Sequence, residues 1–302
     1  MGEGPRKEHY YGGQAVVEGV MMRGRDVWAV AVRKPDGSVH VESHDIDSVA
    51  KRHPTLAKPG LRGVIALGQA LSIGMKALSI SAAQASPEEE RLSSGQMGLS
   101  MGLALILFAG LFIILPAVAF RWVSHRVGSS ILVNGMEGVF RVALFVGYLI
   151  LIGRAKEIRR VFQYHGAEHK TIAAYEHDEP LEPESVDRYS TLHVRCGTNF
   201  LLIVMVLTIL IFALFGNPGI WWRIGSRLIA IPIIAGIAFE LLRLGARFER
   251  SAFMRAVMAP GLWLQKITTQ PPDREQIEVA ISSFNEVLRR EAGQPAIPTS
   301  DA

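Results

Sequence analysis

The pentapeptide His165-Gly166-Ala167-Glu168-His169 contains residue types that can hold and use a metal ion. Two imidazoles four residues apart share one helix face with the carboxylate between them, so all three can turn toward one ion and its bound water. In that arrangement His165 and His169 are ligands to Zn²⁺, and Glu168 is the general base that takes a proton from the water. The chain has nine His in 302 residues, and a shuffled chain would contain roughly 0.02 such pentapeptides. The plainer reading is a helix end with two surface histidines and an acidic neighbour. What separates the two readings is whether further ligands lie nearby.

The order H-x-x-E-H is that of the inverzincins. A catalytic zinc site needs a third protein ligand and an open position, whereas a structural site closes with four. The segment after the pentapeptide offers Glu176, His193 and Cys196. Glu176 follows His169 by seven residues, about two helical turns, so it faces the same side if the helix continues. His193 and Cys196, three apart, are an imidazole and a thiol suited to a borderline-soft ion. The expected order of preference is His193, then Glu176, then Cys196, since Cys196 beside Gly197 and Thr198 also suits a small buried position. As the single cysteine, Cys196 forms no internal disulfide.

The elements that must position these residues are largely apolar. Leu99 to Phe120 runs 22 residues without an ionisable side chain, enough for a spanning helix, and Phe200 to Gly216 runs 17. Met136 to Gly153 contains Glu137 and Arg141, and Leu228 to Leu242 contains Glu240. Four membrane spans are expected. A carboxylate inside an apolar segment is costly unless paired. Arg141 is the expected partner of Glu240, in a structural pair between helices.

Orientation follows from Lys and Arg. Alternate segments carry 27 of these residues on one side against four on the other, which places both termini and the His165 segment in the cytoplasm of a cytoplasmic-membrane protein. No secretory signal peptide is expected at the N-terminus. The net charge of +4 reads as orienting loops in contact with the lipid bilayer, and no nucleic-acid partner is expected.

The soluble portion reads as small and α+β. From Gln14 to Ile46 the pattern is that of strands in a small antiparallel sheet, clearest at Val27 to Val32 and Val39 to Val41 with the turn Pro35-Asp36-Gly37 between them. Gly12-Gly13 and the stretch Glu18 to Gly24 lack a phosphate-binding spacing and are read as tight turns, with Glu18, Arg23 and Arg25 as polar groups at the membrane face. Residues 61–83 have near-helical apolar spacing broken by Gln69 and Lys76. They are expected to form an interfacial or bundle-packed helix rather than a fifth span. Glu88-Glu89-Glu90 marks a polar linker, and Gln276 to Glu291 an amphipathic helix.

The expected fold class is therefore an α-helical membrane protein of about four transmembrane helices with a small α+β cytoplasmic portion. Its parts are a β-rich segment (1–60), an amphipathic helix and linker (61–98), spans one and two (99–153), the cytoplasmic H-x-x-E-H loop (154–199), spans three and four (200–244) and a cytoplasmic C-terminal region (245–302).

Four blocks strongly resemble the YqhQ-type family of uncharacterised multi-pass membrane proteins. They are GGQAVVEGVMMRG at 12–24, YHGAEHK at 164–170, HVRCGTNF at 193–200 and PGLWLQKITT at 260–269. The chain departs from that pattern at Val194, where proline is expected, and at Gln69, where an acid is common. Members are usually labelled predicted metal-dependent enzymes. The resemblance thus implies a membrane-embedded metal-dependent enzyme, and residues and resemblance together point to a zinc hydrolase acting on a membrane-associated substrate. A non-enzymatic scaffold or regulator with a structural His/Cys cluster is the alternative, and a transporter is weaker because few charges lie within spans. From the charge asymmetry, a reporter active only in the cytoplasm should work when fused at either terminus. Activity of a periplasm-only reporter at those fusions would reverse the orientation.

Overall fold

The computed structural model describes residues 11–47, 58, 61–87, 93–124, 126–127, 130–213, 220–248 and 251–296. Strands β1 (Gly12–Val16), β2 (Gly19–Arg23), β3 (Val27–Arg33) and β4 (Val39–Asp45) form an antiparallel meander in the order β1-β2-β3-β4. The β3–β4 turn uses the expected chemistry. Gly37 adopts φ +86°, and the Asp36 carboxylate accepts from the Ser38 N–H at 2.9 Å. The glycine-rich stretch before it is mostly strand rather than turn. Only Val17-Glu18 turns between β1 and β2, with Glu18 at φ 50°.

Both faces of this sheet are covered, which is why β3 reads as an unbroken apolar run instead of an alternating one. Met21, Trp28, Val30 and Val32 point to one face, where they meet Ile73 and Ala77 of α1 (Leu61–Ala85). Val20, Met22, Ala29 and Ala31 point to the other. There they pack on α5 (Lys156–Glu176) and on the C-terminal amphipathic helix α10 (Arg274–Glu291). Ile277, Ala280, Phe284 and Val287 recur at helical spacing along the buried stripe of α10. The helix starts at an Asp273/Gln276 capping box, a device that contributes about 1 kcal/mol.

Between these elements stand the apolar helices. They are α2 (Ser94–Ala109), a π-helical turn (Gly110–Ile114), α3 (Leu115–Ser124), α4 (Ser130–Ile152), α7 (Gly197–Ala213), α8 (Ile220–Arg247) and α9 (Ala252–Thr268), with a short polar helix α6 (Pro183–Val186) in the segment that follows α5. The π turn directly precedes Pro116, and the Leu115 N–H reaches back to the Gly110 carbonyl, one of the known accommodations of a proline inside a helix. Among the described residues three helices are long and apolar enough to cross a membrane: Arg62–Ala85, Gly98–Phe120 and Leu132–Ile152. A shorter apolar helix covers Gly197–Phe212. The first of the three also serves the sheet, because its later turns cover β3 while Gly63 sits against Gly236 of α8. The acidic run Glu88-Glu89-Glu90 and the end of the expected third span at residues 214–216 lie outside the described residues.

The charges inside the apolar helices pair differently from the sequence expectation. Glu240 is bound by Arg62, whose Nε donates to Oε1 at 2.6 Å and whose Nη2 donates to Oε2. Arg141 is taken up by Glu137, one turn earlier on its own helix. The reason is geometric. The close approach at Gly63 and Gly236 sets the start of α1 beside the end of α8, while an i, i+4 partner satisfies Arg141 locally. A double-mutant cycle with Arg62→Met and Glu240→Gln, read by thermal unfolding in detergent, should return a coupling of about 0.5–3 kcal/mol. The cycle of Arg141 with Glu240 should return none.

Candidate metal centre

The H-x-x-E-H pentapeptide lies in the middle of α5, not at a helix end. Tyr164, Gly166, Ala167, Glu168, His169 and Lys170 are all buried there. Gly166 has a packing reason: a Cβ at that position would come within 2.2 Å of the Gln270 carbonyl oxygen, so only glycine lets the segment after α9 close onto the helix.

The two histidines are oriented by backbone carbonyls from distant parts of the chain. His165 Nδ1 lies 2.9 Å from the Thr268 carbonyl at the end of α9, and His169 Nδ1 lies 2.5 Å from the Thr191 carbonyl in the loop before α7. A carbonyl only accepts, so each Nδ1 carries the proton and each Nε2 keeps its lone pair. His165 Nε2 faces Cys196 Sγ at 3.2 Å. His169 Nε2 is buried and has no hydrogen-bond partner. Burial pushes the His169 pKa down, which favours the neutral ring that a metal needs.

Cys196 closes the triangle. The donor atoms of His165, His169 and Cys196 all lie within 4.8 Å of one another. The thiol is buried, and its sulfur receives the Thr198 N–H at 3.3 Å at the start of α7. These three residues come from α5 and from the loop that leads directly into an apolar helix, so the cluster sits where soluble and apolar parts meet.

Glu168 lies beside the cluster and is not one of its converging ligands. It faces β1, where it accepts a hydrogen bond from the Gly13 backbone, and its Oε2 is buried without a partner. A Cβ on Gly13 would fall 2.9 Å from the Glu168 carboxyl carbon, so the glycine in this edge strand makes room for the acid. Burial raises the Glu168 pKa, and the nearby His165 and His193 oppose the shift.

His193 and Glu176 form a neighbouring group. His193 Nε2 is 3.4 Å from Glu176 Oε2, and Arg195 donates to the other Glu176 oxygen. Burial alone would raise the Glu176 pKa, but the His193 hydrogen bond and the Arg195 charge hold it low. The ring centroids of His193 and His169 are 5.6 Å apart. The third position beside the two helix histidines therefore goes to Cys196, last in the sequence ranking, while His193 and Glu176 bind each other.

Several residues that hold the site had no signal in the sequence reading. Gln265 accepts from the His193 N–H and donates to the His193 carbonyl, both at 2.8 Å, and also donates to Asn199 Oδ1 at 3.0 Å. Asn199 in turn donates to the Val194 carbonyl at 2.7 Å. Thr191 and Thr268 act through main-chain oxygens, which no side-chain pattern reveals. The block at 260–269 was marked by resemblance alone, and its position on α9 supplies a reason.

A family model described as a protein of unknown function (DUF1385) matches residues 58–290. The chain belongs to this family. An uncharacterised member-like relative, YqhQ of Bacillus subtilis (strain 168), is 37% identical over 301 residues, covering 93% of each chain. No solved structure matches. The DUF1385 match takes in α5, the Cys196 loop and α9, so the whole cluster except Gly13 lies within it.

The raised Glu168 pKa carries a sign. A carboxyl whose folded value lies above its unfolded value loses stabilisation as pH rises from the unfolded value through the folded one. Metal-free Glu168→Gln should therefore gain on the wild type in thermal stability as pH climbs above the ordinary glutamate range. A pH-independent difference between the two would refute the buried-acid assignment.

Proposed function

We propose that this DUF1385 protein is a membrane-bound metal-dependent enzyme with hydrolase chemistry, acting on a membrane-associated substrate. The observation that carries the proposal is the buried, unpartnered His169 Nε2 converging with His165 Nε2 and Cys196 Sγ while both Nδ1 protons are held by backbone carbonyls. A ligating histidine that donates its other ring N–H to a carbonyl is the usual outer-shell arrangement of a metal site. Two imidazoles and one thiolate suit Zn²⁺ and leave one position open. When bound, such an ion supplies a Lewis acid and lowers the pKa of water to about 7.

The protein's own groups would then divide the work. His165, His169 and Cys196 hold the ion. Glu168, buried and with one oxygen on the Gly13 N–H, keeps its other oxygen for a proton. The membrane setting rests on the three long apolar helices and on Cys196 lying directly before a further apolar helix. The charge asymmetry supports a cytoplasmic site in the cytoplasmic membrane, with both termini on that side.

One observation favours a second reading, a scaffold or regulator with a structural His/Cys node. Cys196 Sγ and His165 Nε2 are within hydrogen-bond reach at 3.2 Å and can satisfy each other without an ion. Metal analysis of the purified full chain expressed with zinc separates the two. The enzyme reading expects close to one equivalent in wild type and in Glu168→Gln, and a sharp loss in His165→Ala, His169→Ala and Cys196→Ser. Glu168→Gln should also abolish function in a deletion strain while keeping its metal. Negligible metal in wild type and all variants refutes a metal centre, and full complementation by Glu168→Gln makes the site structural.

A further inference from the structure

Helix α9 and the end of α8 present an apolar surface that the proposed site does not use. Leu241, Leu244 and Phe248 at the end of α8, and Phe253, Val257 and Trp263 on α9, are all exposed. The two helices pack back to back here, with Met258 of α9 against Gly245 of α8. Their inner sides are spent on each other and on α4 and α7, and the six large apolar side chains named face outward.

Two observations say what covers this corner. The first is continuity with the apolar helices. Leu264 of α9 is buried in one cluster with Phe145 and Leu149 of α4, against which Phe112, Leu202 and Met205 also pack. Leu149 and Phe145 precede the end of the apolar stretch at Ile152 by three and seven residues, about 4.5 and 10 Å along the axis. That matches the roughly 5–10 Å to which interfacial helices sink below a membrane surface. The second is charge. Between Leu241 and Thr268 the sequence has Arg243, Arg247, Arg250, Arg255 and Lys266 against the single acid Glu249. Exposed Arg255 and Lys266 flank the apolar residues of α9.

We propose that the corner made by the end of α8 (241–248) and by α9 is a lipid-seated element, embedded in the interfacial layer of a bilayer containing anionic lipid. It goes beyond the enzyme reading and rests only on its membrane setting. The placement has a functional side. Gln265, on the buried side of α9, clamps the main chain at His193, and the last residue of the helix carries the carbonyl that orients His165. The bilayer surface thereby becomes part of what holds the histidine cluster in register.

The test uses the full chain in vesicles of phosphatidylcholine and phosphatidylglycerol, the former brominated in the upper acyl chain. The Trp263 emission is obtained as the difference between wild type and Trp263→Phe. Brominated lipid should quench most of that component while aqueous iodide leaves it largely intact, and Phe253→Asp with Val257→Asp should restore much of the emission. A Trp263 component quenched by iodide and indifferent to brominated lipid overturns the lipid seat. The readout needs no metal, so failure of the zinc reading and failure of this one are separately visible.

Discussion

The site depends on the rule that a buried ring nitrogen must find a partner. Burying His169 and half-burying His165 takes imidazole N–H groups out of easy reach of water, a cost of about 1–3 kcal/mol for a buried one left unmet. The chain meets both with main-chain oxygens, one from the end of α9 and one from the loop before α7. Those two contacts draw two distant segments onto one helix face. They also determine which nitrogen of each ring remains, and so where three donor atoms converge. Gly166 allows the closest approach and Gln265 stitches the loop to α9.

The parts of the fold governed by local rules were legible in the sequence. The Asp36-Gly37 turn needs a positive φ and a carboxylate cap, and both are written into the residue types. The amphipathic stripe of α10 and the long apolar runs are similarly direct. What escaped was set by contacts between segments. The glycines at positions 12, 13 and 19 read as turns but lie in β1 and β2, and Gly13 makes space for a carboxylate arriving from α5. Glu240 found Arg62 instead of Arg141 because helix adjacency, which decides ion pairing, is not encoded in hydropathy.

For the candidate site, the pentapeptide announced two histidines and an acid, and helical periodicity placed them on one helix. The identity of the third converging group was not readable. Sequence spacing favoured His193, yet Glu176 and Arg195 engage that end of the loop, while the first turn of α7 aims Cys196 at His165. Membership in a family of unknown function adds no chemistry of its own; the tautomers, the burial and the convergence of the donor atoms supply it.

The two-sided burial of the sheet bears on how the protein is made. The strands are complete by residue 45, and α1, which starts at Leu61, is the next described element and covers one face. The opposite face gains α5 midway along the chain and is closed only by α10, as the bond from Ser283 to the Ala29 carbonyl across 254 residues illustrates. All the apolar helices between must leave the ribosome before Val20, Met22, Ala29 and Ala31 gain that cover. Loops of this length are slow to close, and an uncovered apolar sheet face is prone to aggregation. The growing chain therefore carries an incompletely covered sheet until its last helix emerges, and a ribosome that stalls before α10 leaves a product whose partly open sheet face marks it for chaperones and proteases.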